Sequence, residues 1–87
     1  MALGVGKAMQ LKIDKLTTRR DMTLKLRTNT TNLEAQVNGT HMSAQKAQDG
    51  EISFQTELSA GEATVITVQN ISSAPATITN IIAQLTP

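Results

Sequence analysis

Cysteine, tryptophan and tyrosine are absent from this 87-residue chain, which holds one phenylalanine, one histidine, two prolines and five glycines. Without cysteine no disulfide can staple the fold, and no thiolate nucleophile exists. A domain of this length buries only about 60 to 65% of the surface that its unfolded chain exposes, so its core is marginal. The supports left to a small fold are a structural metal or oligomerisation. A metal is disfavoured, because His41 is the single histidine and the carboxylates of Asp14, Asp21, Glu34, Asp49, Glu51, Glu57 and Glu62 are scattered rather than grouped at ligand spacing. Oligomerisation is the support that remains.

The scarcity of aromatics excludes more. Tyr, Trp and Phe commonly anchor sugar sites, single-stranded nucleic acid platforms and interface hot spots, and Phe54 alone cannot build any of these. No apolar run approaches the roughly 18 to 20 residues that span a bilayer, so a soluble chain without membrane insertion is expected. Met1 to Lys7 lack the basic start and apolar stretch of a secretory signal, so any export should use another route. Three glycosylation sequons, beginning at Asn29, Asn38 and Asn70, are expected by chance where Asn and Thr are so frequent.

Charge is present but segregated. Up to Arg27, seven basic residues (Lys7, Lys12, Lys15, Arg19, Arg20, Lys25, Arg27) face two acids, a surplus of five positive charges. From Thr28 onward Lys46 stands against five carboxylates, a deficit of four, and Ala63 to Pro87 hold no ionisable side chain at all. The plain reading is that these charges occupy solvated faces of alternating strands. A sharper one is head-to-tail complementarity between identical subunits, which salt would weaken. A basic ribbon of Lys12, Lys15, Arg19, Arg20, Lys25 and Arg27 across the first two strands could meet a polyanion, but a net charge of plus one disfavours nucleic acid as a partner.

What the chain does have is a two-residue period. Val5, Met9, Leu11 and Ile13 share one parity, with a helix over Met9 to Leu16 as the competing reading; Met22, Leu24 and Leu26 alternate with Thr23, Lys25 and Arg27. Leu33, Ala35 and Val37 lead into Asn38-Gly39, the strongest short hairpin signal, which returns a strand over Thr40 to Lys46. A helical turn over Ser43 to Gln48 competes there. Asp49-Gly50 repeats the turn chemistry before Ile52, Phe54 and Leu58. Ala63 to Ile71 carries apolar residues on both parities, which implies two covered faces. Ala76 to Leu85, ended by Pro87, sets Ile78 and Ile82 on one face and Ile81 and Leu85 on the other.

Six or seven strands at turn intervals of about 8 to 14 residues predict an all-β, antiparallel β-sandwich. The expected organisation is an N-terminal arm, residues 1–6, and a single domain, residues 7–87. An uncharged, β-branched tail must be buried, closed into a sheet or covered by a partner.

No constellation carries chemistry. Serine catalysis would need His41 as its base, and a turn histidine in solvent is the simpler reading. Glu57 and Glu62 flank one turn and more simply keep it soluble than cleave a glycoside. Gly4-x-Gly6 lacks the strand, the third glycine and the lysine of phosphate loops. No catalytic, cofactor-binding or metal residue is nominated, and the chain is expected to be non-enzymatic with no cofactor.

From Leu58 to Leu85 the run Ser-Ala-Gly-Glu, then Val-Ile-Thr-Val-Gln-Asn-Ile, then Ser-Ser-Ala-Pro-Ala-Thr-Ile-Thr resembles the closing strands of small jelly-roll and immunoglobulin-like modules. Such modules occur in phage virion proteins and bacterial surface filaments. The likeness spans about a third of the chain and carries no residue-specific motif. Together with the uncharged tail and the short apolar arm, it implies a structural subunit that self-assembles through β-strand and N-terminal-arm contacts, the arm held by a neighbour: a homo-oligomer with capsid or filament neighbours, located in a virion or at a cell surface. A small sandwich binding carbohydrate or protein through loops at Asn38-Gly39, Asp49-Gly50 and Ser72 to Pro75 is the alternative. Loss of assembly on removing residues 1 to 8 would favour the subunit; an unaffected monomer would favour the binding module.

Overall fold

Alternating side chains bury one face of a strand, and here that period governs the whole molecule. A computed structural model describes residues 1–30, 32–42, 44–48 and 50–86, with 44–48 described by backbone alone. Thr31 of the first sequon, Ser43, Asp49 of the second turn and the terminator Pro87 lie outside the described residues. Strands account for 68% of what is described and helix for none, so the helical readings over Met9 to Leu16 and Ala44 to Gln48 give way to strands.

Nine strand segments follow in order: β1 (Ala2–Leu3), β2 (Ala8–Ile13), β3 (Arg20–Thr28), β4 (Leu33–Val37), β5 (Thr40–Met42), β6 (Ala44–Gln48), β7 (Glu51–Leu58), β8 (Thr64–Asn70) and β9 (Ala76–Thr86). Seven match the sequence pattern. The eighth is β1, a two-residue strand inside the expected arm. The ninth arises because the strand expected over Thr40 to Lys46 is two strands, β5 in one sheet and β6 in the other.

The sheets are antiparallel throughout, one in the order β1-β9-β3-β7-β6 and the other β2-β8-β4-β5. Both give their inner faces to one core. Met22, Leu24 and Leu26 of β3, Ile52, Phe54 and Leu58 of β7, and Ile78 of β9 come from the first sheet. Leu33 and Ala35 of β4, Met42 of β5, and Ile66 and Val68 of β8 come from the second. This is a β-sandwich-like architecture. Its long axis of 39 Å matches β9, whose eleven residues at about 3.3 Å each reach about 36 Å.

The β4–β5 hairpin shows why Asn-Gly was informative. Asn38 (φ 48°) and Gly39 (φ 83°) both take the left-handed conformation of a type I′ turn, and Val37 pairs directly with Thr40. Asn38 also ties the turn to β8: its backbone N–H donates to the Val65 carbonyl at 2.9 Å, and its Oδ1 accepts from the Val65 N–H at 2.8 Å.

Two expectations about faces are corrected. In β8 the burial alternates cleanly, with Thr64, Ile66, Val68 and Asn70 buried and Val65, Thr67 and Gln69 half-buried, so one face is sealed rather than two. In β9 a bulge intervenes: Thr28 pairs with Ile78 but Arg27 pairs with Asn80, leaving Thr79 unopposed. The extra residue flips the parity beyond it. Ile78, Ile81 and Leu85 therefore share the inner face with β3's Leu26 and Met22, while Ile82 points outward beside Lys25.

Candidate functional site

A sheet's outermost strands present unpaired backbone groups, and natural proteins blunt such edges with lysine, proline, brevity or a covering segment. β2 follows that rule, with Lys12 on the strand and Lys7, Asp14 and Lys15 around it. β5 is only three residues long, and the sequence of β6 contains Lys46. β9 is different.

At its start, β9 is capped. β1 pairs Ala2 with Thr77 and Leu3 with Ala76, the Ile78 N–H donates to the Met1 carbonyl at 2.8 Å, and the α-amino group donates to the Ile78 carbonyl at 2.8 Å. From Thr79 to Thr86, β3 lies on one side and no strand among the described residues lies on the other. These eight residues carry no charge and no proline. Ile82 is 46% exposed and Leu85 38%. Ala83, paired to the fully buried Leu24, is itself exposed, so the core cover ends between β3 and β9.

On the same side of the molecule the second sheet also ends half-covered. Only Gly4 to Lys7 join β1 to β2, which places β2 across from β9, and its inward residues Met9, Leu11 and Ile13 are half-buried. Two strand edges thus flank an incompletely covered apolar margin.

The arm, residues 1–6, is held within its own chain. Leu3 is buried, and the fully buried Asn70 side chain donates through Nδ2 to the carbonyls of Leu3 (2.9 Å), Gly4 (3.3 Å) and Ala74 (2.9 Å). Asn70 Oδ1 accepts from the Ser72 N–H (2.9 Å) and hydroxyl (2.7 Å). One amide therefore fixes the arm, the end of β8 and the loop before β9. The sequence marked Asn70 only as the start of a sequon, and its full burial inside this knot gives it a structural role that the sequence did not signal. The Ser72 hydroxyl is engaged in the same knot, whereas Ser73 beside it is exposed.

Other residues singled out from the sequence do not converge. His41, exposed on β5, sits 3.5 Å from the half-buried Glu34. Glu57 bonds Arg19 at 3.2 Å, also exposed, and Glu62 lies in solvent after β7. The basic ribbon does not form, because β2 and β3 belong to different sheets: Lys12 faces outward from one, Lys25 and Arg27 from the other. Pairing of β3 with β7 instead sets Arg27 directly opposite Glu51, folding the basic half of the chain onto part of the acidic half. Among the described residues no group of three or more His, Asp or Glu could hold a metal ion, and no helix is long and apolar enough to cross a membrane.

Comparison with family models, with curated proteins and with solved structures finds no match to this chain.

Proposed function

We propose that the protein is a non-enzymatic structural subunit, a jelly roll that self-assembles by β-strand contacts in a virion or a surface filament. The strand order supports the jelly-roll reading. With β6 set aside, two four-stranded antiparallel sheets remain, β1-β9-β3-β7 and β2-β8-β4-β5, in which early and late strands interleave as two wrapped Greek keys would have them. Jelly rolls recur in viral capsids, and the virion setting is an analogy of fold.

The observation that carries self-assembly is the uncharged open edge of β9, Thr79 to Thr86, flanked by exposed Ile82 and Leu85. An edge of this length without charge or proline is a template for pairing with another chain. Its neutrality also says what kind of force is involved. Arg27 stands opposite Glu51 and Arg19 bonds Glu57 within one chain, which supports apolar strand pairing over head-to-tail charge attraction as the driver.

Light scattering on the purified full chain tests this. Molar mass should rise with concentration and stay unchanged between about 0.05 and 0.5 M salt, where exposed ion pairs would be progressively screened. A mass of one chain at every concentration removes the proposal, and dissociation by salt would return the assembly to charge attraction.

A further inference from the structure

We infer that the strand which pairs with the open edge of β9 is β9 of a second copy, running antiparallel about a two-fold axis at Ala83. This rests on the assembly reading above and names its partner and symmetry. Whatever occupies the edge must be extended, must tolerate an uncharged backbone row, and must offer apolar side chains at every second position to the half-covered margin beside Met9, Leu11 and Ile13. Of this chain's free edges, β2 brings lysine, β5 is too short, and β6 includes Lys46. β9 satisfies all three requirements, since Ile81, Ala83 and Leu85 lie on one face without a charge from Ala63 to the end of the chain.

Geometry narrows the register, and centring on Ala83 is the choice that sets the large apolar residues Ile81 and Leu85 against each other. A two-fold axis normal to the sheet keeps inner faces inner, so a residue can oppose only one of its own parity. Centred on Ala83, that pairing sets Ile81 opposite the partner's Leu85 and Leu85 opposite the partner's Ile81, continuing the apolar face across the junction. Ile82 meets the partner's Gln84 on the outer face. The capping strand β1 ends at Thr77 and Ile78, before this overlap begins, so both copies keep their arms in place. Two five-stranded sheets become one of ten.

Charge exchange at the axis tests it. Ala83 is exposed, so Ala83→Lys and Ala83→Glu should each leave the circular dichroism unchanged, and the unfolding midpoint unchanged in solution dilute enough that the unmodified chain is itself monomeric, while placing like charges face to face. Each alone should weaken self-association at least about tenfold, and an equimolar mixture should restore it. A second readout does not depend on those variants: Ala83→Cys, in a chain with no other cysteine, should oxidise to a disulfide-linked dimer, because opposed antiparallel residues lie about 4.5–5.5 Å apart at Cα, within disulfide reach. Gln10→Cys on the outer face of β2 should not. Variants that associate like the unmodified chain, with no Ala83→Cys cross-link, would overturn β9 pairing and leave self-assembly standing. An unmodified chain that stays monomeric at every concentration would overturn both.

Discussion

Phe54→Ala is expected to lower the unfolding free energy by about 3–5 kcal/mol, the range for emptying an aromatic site in a packed core. Phe54 is 1% exposed on β7, an interior strand of the five-stranded sheet, paired on one side with Leu24 of β3 and on the other with Ala44 of β6. It is the single phenyl ring in a chain without Tyr or Trp, so no second large apolar ring can shift to fill the space. A domain of this size has a total stability on the order of 4–13 kcal/mol, and the substitution removes a large share of it. Denaturant unfolding followed by far-ultraviolet circular dichroism reads the change; an unaltered midpoint would place Phe54 outside the core. Phe54→Leu, which keeps most of the volume, should cost less than half as much.

Asn70→Asp is expected to be as damaging although it preserves shape. In the native amide, Nδ2 faces the carbonyls of Leu3, Gly4 and Ala74. A carboxylate would turn all three contacts repulsive inside a fully buried site, a loss of about 3–5 kcal/mol on the scale of an uncompensated buried charge. Burial disfavours the charged form, so the variant's folded state binds a proton more tightly than its unfolded state. The destabilisation should therefore be greatest near neutral pH and shrink as pH falls toward about 4. Thermal unfolding across that range tests it. A deficit relative to the unmodified chain that is the same at both ends would show that the introduced carboxyl is not held in the buried site.

The strands were legible because their period is local. Met22, Leu24 and Leu26 alternate with polar residues along nine paired positions, and no tertiary fact is needed to place them. Asn38-Gly39 was legible for the same reason, since its chemistry is satisfied within four residues. The switch of sheets between β5 and β6 was not, because alternation continues across it and only the opposing layer decides which sheet a strand joins. The bulge at Thr79 was also hidden: it is defined by the partner strand, and it moves Ile82 to the outer face away from Ile78.

The candidate edge was half legible. The uncharged tail announced that something must cover it, and composition could say no more. β8 turned out to be interior to its sheet, with the basic β2 as its neighbour, whereas β9 kept one side open. Which of two neutral strands lies at an edge depends on strand order, a long-range property. The arm was expected to be held by a neighbour, and within one chain Asn70 and Ile78 already hold it.

Hydrogen exchange of the β9 amides, compared between dilute and concentrated protein, tests the assembly edge most directly. The outward-facing amides between Thr79 and Thr86 should exchange rapidly in dilute solution and become protected on concentration, while those on the outer side of β2 remain unchanged. Exchange in β9 that is independent of concentration, or protection that appears in β2 instead, would contradict it.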